Sequence, residues 1–168
     1  MRGRLTQWAV IEADIAVRRM SHDQKVRLAD EIYVQQPNML ASILALPRMG
    51  VDMAQLEVAL HILLVSFQAM KLSGHPWPVI TEDIQDGCLQ RLTARMRFNE
   101  GVPQDLATKV VEQFHTEHAE RYLLAFVYGW LDEHDLMAVR TEAEKYLMLG
   151  ALNLVECLAL VGLDKPSP

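Results

Sequence analysis

Two stretches in the second half of the chain decide the fold: YLLAFVYGWL at residues 122–131 and YLMLGALNLV at residues 146–155. Both are long enough for about three helical turns, and both are apolar almost all round. A helix of this kind lies inside a fold, surrounded by other helices or covered by a partner chain. The two stretches therefore predict an all-α fold, a compact bundle with one or two central apolar helices.

Helix signals recur along the rest of the chain. Ser21 and Asp52 are predicted N-caps, since a short polar side chain before an apolar run satisfies free backbone N–H groups. No stretch alternates apolar and polar residues over the length of a half-buried strand. We expect about seven helices. In the first of them apolar residues recur at spacings of three and four, which is typical of one helix face: Leu5, Trp8, Ile11 and Ile15.

Prolines and glycines set the predicted boundaries of these helices. A short helix is predicted over residues 39–46, and a long one begins at Asp52 and ends near Leu72. A further helix runs from Pro103 past residue 130, and the last covers about residues 136–163. At 168 residues the chain predicts one domain, residues 1–168, with residues 164–168 as a frayed tail.

Charge argues against a nucleic-acid partner. Sixteen basic and twenty-two acidic side chains give a net charge of −6, whereas binding to phosphates requires a basic surface. Residues 46–60 have the spacing of a helix-turn-helix, but residues 53–60 contain no lysine or arginine to contact DNA. We expect no nucleic-acid binding.

Compartment signals favour the cytoplasm. No uninterrupted apolar run follows the first arginines, so no signal peptide is predicted. Residues 53–72 and 146–163 are apolar enough to resemble membrane spans, but charged residues interrupt both, Glu156 in the second. Cys88 and Cys157 are expected to be free thiols of a reducing compartment, although the sequence leaves a disulfide between them open.

The strongest metal-ligand pattern is EQFHTEH, with Glu112, His115 and His118 at three-residue spacings. Such residues share one helix face, and Glu-x-x-His is a ligand unit of di-iron carboxylate bundles. Ordinary hydrogen bonds to a carbonyl or to Glu112 would satisfy the two imidazoles equally well. The pattern occurs once, so it indicates a metal site only as an alternative.

Glu57 and His61, four residues apart on an otherwise apolar helix, are the candidates to complete such a site. If the two helices packed together, the glutamates and histidines could form a nitrogen and oxygen ligand set for zinc or iron. Alternatively Glu57 and His61 mark a solvent edge or pair with each other. We expect no cofactor beyond this possible metal ion.

Trp77 stands between two prolines in His-Pro-Trp-Pro, the most distinctive loop of the chain. The prolines restrict the loop, so ordering the indole loses little entropy, which suits an anchor residue. Trp77 can seal the protein's own core or bind a partner, and the first interpretation is favoured.

The sequence lacks the motifs of common catalytic nucleophiles and of phosphate-binding loops. We therefore predict a non-enzymatic interaction or regulatory protein that self-associates as a homo-oligomer and meets protein partners through apolar helix surface. A helical metal-binding protein is the first alternative. The second is a binder of apolar small molecules, suggested by four methionines around the fourth helix, since methionine suits adaptable apolar pockets: Met39, Met49, Met53 and Met70.

Overall fold

The structure, a computed structural model, describes residues 4–100 and 117–162, with the backbone alone for residues 97–100. These residues form seven α-helices and one short 3-10 helix and contain no strand, which confirms the predicted all-α class. The helices are α1 Gln7–Arg19, α2 His22–Gln35, α3 Pro37–Leu44, the 3-10 helix Leu46–Met49, α4 Met53–Leu72, α5 Glu82–Glu100, α6 Arg121–Glu133 and α7 Glu142–Gly162.

Two helices form the centre of the fold. α4 and α7 pack against each other, and every other helix of the described chain contacts at least one of them. In α4 the run from Ile62 to Phe67 is buried without interruption. The hydroxyl of Ser66, inside that run, donates to the carbonyl of Ile62 at 2.7 Å, so this buried polar group is satisfied.

The predicted N-caps are confirmed. Ser21 accepts from the backbone N–H of Gln24, whose side chain accepts from the Ser21 N–H in return, forming a capping box at the start of α2. Asp52 and Gln55 make the same reciprocal pair before α4. Each box satisfies two backbone groups that the first helical turn leaves without a partner.

The prediction of one helix from Pro103 past residue 130 is wrong at residues 118–120, which are not helical; α6 begins only at Arg121. The local reason is a side-chain bond, because the Nδ1 atom of His118 accepts from the backbone N–H of Glu120 at 3.0 Å. Such local bonds compete with the helical ladder.

The last helix starts later than predicted, at Glu142 rather than near residue 136. The backbone turns at Asp135, which has a φ of 56°, and the Thr141 hydroxyl then accepts from the N–H of Glu144 at 3.1 Å. That bond caps α7. The short helix predicted over residues 39–46 is also shifted, since α3 spans Pro37–Leu44 before the 3-10 turn.

Of the two stretches predicted to lie inside, residues 146–155 do so more completely than residues 122–131. α6 buries Leu123, Leu124, Val127 and Leu131 on one face, whereas Ala125 and Gly129 are exposed. α4 therefore takes the second central place.

Large apolar side chains are exposed on α1 and α2, with Trp8 at 60%, Tyr33 at 68% and Val34 at 78%. Self-association stays a prediction, for which light scattering gives the test.

α4 and α7 are long and apolar enough, by length and composition, to cross a membrane. Of their most apolar windows, 67% in α4 and 61% in α7 is buried inside the fold. Central helices of helical bundles pass the same test, because they too lack a polar face.

Candidate functional site

His61 contacts α1 rather than its predicted neighbour Glu57, which is exposed. Its Nε2 atom lies 2.9 Å from the Oδ1 atom of Asp14, and the same oxygen accepts from the Arg18 guanidinium at 3.0 Å. The imidazole stacks on the indole of Trp130, with ring centroids 4.0 Å apart. His61 thus joins α1, α4 and α6.

Burial lowers the pKa of His61 below its ordinary value, and the hydrogen bond and charge of Asp14 oppose that effect only in part. A neutral imidazole held by a carboxylate has the form of a general base and its orienting group. Aromatic rings surround it, however: Phe126 lies 6.1 Å away between ring centroids, and Trp130 is itself tilted against His134 at 4.4 Å. This packing indicates a structural junction.

His118 is buried, and both of its ring nitrogens are hydrogen-bonded. Nδ1 accepts from the Glu120 N–H, so the proton of the ring lies on Nε2, which is 3.0 Å from the Oε1 atom of Glu156. Arg95 binds the other oxygen of Glu156 at 3.1 Å. Burial raises the pKa of Glu156, but the bonds from His118 and Arg95 outweigh it and hold that pKa below the ordinary value.

These contacts bear on the predicted metal site. Within residues 4–100 and 117–162, no group of three His, Cys, Asp or Glu side chains is placed to hold a metal ion. His61 and His118 each have a carboxylate partner of their own, Asp14 and Glu156. Glu112 and His115 lie outside the described residues, so a zinc or iron site that includes them stays a prediction.

Trp77 packs against its own chain. Its indole N–H donates to the Ser73 hydroxyl at 3.0 Å, and the Arg4 guanidinium lies 5.6 Å from its ring centroid. A Cβ atom placed on Gly162, at the end of α7, would lie 3.8 Å from the ring. The indole is partly buried and packs against the hydrophobic core at the junction of residues 4–6 with α7. Its role towards a partner stays a prediction.

Glu120 ties the amino-terminal arm to the start of α6. Only 1% exposed, its carboxylate accepts from the backbone N–H groups of Arg4 at 2.8 Å and of Leu5 at 3.3 Å. Burial raises the pKa of Glu120 to about 7, although these two bonds favour the ionised form. Sequence patterns give no signal for this residue.

A cleft of about 440 Å³ opens between α3, the 3-10 helix, α5 and α7. This volume is within the range of small-molecule sites, which is about 300–1,000 Å³. On α7 the lining extends from Lys145 to Cys157, a distance of about 18 Å along the helix axis. The surface is mainly apolar, and the methionine and leucine residues that line it are Met39, Leu46, Met49, Leu89, Leu149 and Leu154.

Asn153, one of the residues that line the cleft, has a buried polar atom with no partner within the described residues. The Nδ2 atom of Asn153 donates to the carbonyl of Gln85 at 3.1 Å, whereas its Oδ1 atom is buried and accepts no hydrogen bond within the described part of the chain. A buried acceptor in this state costs about 1–3 kcal/mol unless water or a ligand supplies a donor. Asn153 is therefore the polar residue of the cleft with most to gain from a ligand.

Cys157 also lines the cleft, beside Cys88 of α5. Both cysteines are buried free thiols, as predicted. Burial raises the pKa of the Cys157 thiol strongly, and the neighbouring Cys88 raises it further. A thiol of this kind stays protonated and is a poor nucleophile, so Cys157 contributes apolar surface to the cleft.

Sequence reasoning found only part of this cleft. Of the four methionines singled out, Met39 and Met49 line it, whereas Met53 is exposed and Met70 belongs to the core. The one feature of the sequence that could have indicated the cleft is Asn153, a polar residue inside the apolar stretch of α7. Its partner on α5 could not be identified from spacing.

No protein-family model, curated protein or solved structure matches this chain.

Proposed function

We propose that this protein is a non-enzymatic helical binding protein that holds a small, largely apolar molecule in the cleft between α3, α5 and α7. The observation that supports the proposal is the cleft itself, with its volume of about 440 Å³ and its mainly apolar lining from three helices and the 3-10 turn. Concave apolar sites with a few polar groups are the usual form of small-molecule sites.

The lining supports binding rather than catalysis. Thioether and aliphatic side chains dominate it, and the thiol of Cys157 is held in its unreactive form. The two carboxylate–imidazole pairs, Asp14 with His61 and Glu156 with His118, are not among the residues that line the cleft. Met39 and Met49 have flexible, polarisable side chains that can adapt to ligands of different shape.

The experiment is a titration with N-phenyl-1-naphthylamine, a small apolar probe that fluoresces more strongly in apolar surroundings. We expect saturable binding to one site. Leu89→Trp places a bulky ring at the partly exposed edge of the cleft and should weaken binding at least about tenfold, equivalent to about 1.4 kcal/mol. Thr93→Trp, also in the lining, provides an independent second variant.

Val34→Trp is the matched control, because Val34 is exposed on α2 and does not line the cleft. It should bind the probe as the wild type does, with an unchanged helical circular-dichroism spectrum in all variants. Absence of saturable binding in the wild type, or wild-type binding in both cleft variants, would contradict the proposal. Native mass spectrometry of the purified protein would identify a retained ligand directly.

A further inference from the structure

The hydroxyl groups of Ser42 and Thr93, which line the cleft together with Tyr146, can only accept hydrogen bonds from a ligand. The Ser42 hydroxyl already donates to the carbonyl of Met39 at 2.8 Å, and the Thr93 hydroxyl donates to that of Leu89 at 2.8 Å. A hydroxyl carries one hydrogen and two lone pairs. Both hydrogens are therefore used within the helices, and the oxygen lone pairs remain for a ligand.

Asn153 adds a third acceptor. Its amide orientation is fixed by the bond from Nδ2 to the Gln85 carbonyl, because the flipped amide would place two acceptors against each other. The Oδ1 atom, buried and without a partner in the described chain, is thus an acceptor that awaits a donor.

Asp86 gives the cleft a negative charge. Asp86 is an exposed residue that lines the cleft from α5, and no ion pair or hydrogen bond within the described residues engages it. Lys145, in the first turn of α7, is the basic side chain of the lining, and no salt bridge joins it to Asp86. The net charge of −6 also favours the approach of a cation to the protein.

We propose that the ligand is a hydrophobic primary amine, bound as its ammonium ion, with its N–H donors on Asp86 and the acceptor oxygens nearest to it and its apolar body against the methionines and leucines. This inference rests on the proposed function. An ammonium group offers three donors and no acceptor, which complements Asp86 and the neighbouring acceptor oxygens. Beside Asp86 and Asn153 a carboxylate ligand would offer acceptors to acceptors and would be repelled by Asp86, whereas Lys145 lies eight residues before Asn153 on α7, about 12 Å away along the helix axis.

The test is calorimetric titration at neutral pH with four ligands that share an octyl chain: octylammonium, octyltrimethylammonium, octanol and octanoate. Octylammonium should bind about tenfold more tightly than octanol, the factor expected for one charge-assisted hydrogen bond at a partly exposed site. Octyltrimethylammonium has the charge without N–H donors and should bind more weakly than octylammonium. Octanoate should bind most weakly.

Asp86→Asn should weaken the binding of octylammonium about tenfold and leave the affinity for octanol unchanged. Asp83→Asn is the matched control, because Asp83 is exposed in the first turn of the same helix but does not line the cleft. Asn153→Leu should also reduce the preference for octylammonium over octanol.

The outcomes separate this inference from the proposed function. Three results would contradict the proposed amine ligand without contradicting the apolar binding cleft: equal binding of octylammonium and octanol, tighter binding of octanoate, or no effect of Asp86→Asn. Equal binding of the two ammonium ions would overturn the role of the N–H donors. If none of the four ligands binds, the proposed function itself is wrong.

Discussion

The Nε2 atom of His61 lies 2.9 Å from the Oδ1 atom of Asp14, a contact that joins α4 to α1 across 47 positions of sequence. Burial lowers the pKa of His61, and Asp14 raises it by a smaller amount. Arg18, which binds the same carboxylate oxygen, lowers it through its charge. Burial thus sets the direction of the shift, and two residues of another helix, Asp14 and Arg18, adjust it.

Asp14→Asn should lower the pKa of His61 further, because the variant removes the group that favours the charged imidazole and leaves burial in place. The measurement is an NMR titration of the His61 ring proton. Arg18→Gln is the control with the opposite sign, since removal of that charge should raise the pKa. An unchanged or higher pKa in Asp14→Asn would show that the contact does not act on the imidazole.

Glu120→Gln should change how stability depends on pH. The pKa of Glu120 is about 7 in the folded chain against an ordinary value of 4.5, so between these values the folded state binds more protons than the unfolded state. The free energy of unfolding therefore falls as the pH rises from about 4.5 to about 7, by about 3 kcal/mol in all. A glutamine cannot titrate, so the variant should lose this slope.

The measurement is urea denaturation of the wild type and the variant at several pH values from 4.5 to 8. The difference in unfolding free energy, wild type minus variant, should decrease with rising pH and level off above about 7. Glu57→Gln, at an exposed glutamate of α4, should show no such trend. A difference that is constant or increases with pH would contradict the assignment.

Trp77→Ala should destabilise the fold by about 2 kcal/mol, less than for a fully buried tryptophan because the indole is half exposed. Trp77→Phe keeps most of the ring contact and removes the bond to Ser73, so it should cost about 1 kcal/mol. Trp8→Ala is the control and should change stability by less than about 0.5 kcal/mol, since Trp8 is exposed. Thermal unfolding gives all three values. If Trp77→Ala is as stable as wild type, then Trp77 does not seal the core.

Purified protein without an affinity tag should retain less than one equivalent of zinc or iron. Both ring nitrogens of His118 are engaged by Glu156 and Glu120, and His61 is engaged by Asp14, so a metal would have to displace these bonds. Elemental analysis gives the metal content. One retained equivalent that is lost in His115→Ala would contradict this expectation and would favour a site formed with the EQFHTEH segment.

Local signals predicted the parts of the fold that depend on neighbouring residues. The caps at Ser21 and Asp52 are bonds over three positions, and both were evident from residue type. The apolar stretch of residues 146–155 likewise predicted a central helix, because absence of a polar face needs no knowledge of the partner.

Contacts between distant residues could not be predicted in this way. Helical spacing places Glu57 beside His61, but the partner that the fold supplies is Asp14. In the same way the break before α6 depends on His118, which is held by Glu156 38 positions later. The cleft is assembled from three helices, so the sequence showed its methionines without showing that two of them face a common space.

The bond between Glu120 and the backbone of Arg4 spans 116 positions. During synthesis on the ribosome Arg4 and Leu5 emerge long before the Glu120 carboxylate that holds them, and the Gly162 carbonyl, which accepts from Arg4 at 3.2 Å, emerges later still. Contacts of such large sequence separation form slowly. The segment before α1 can therefore be fastened only after Gly162 has been translated.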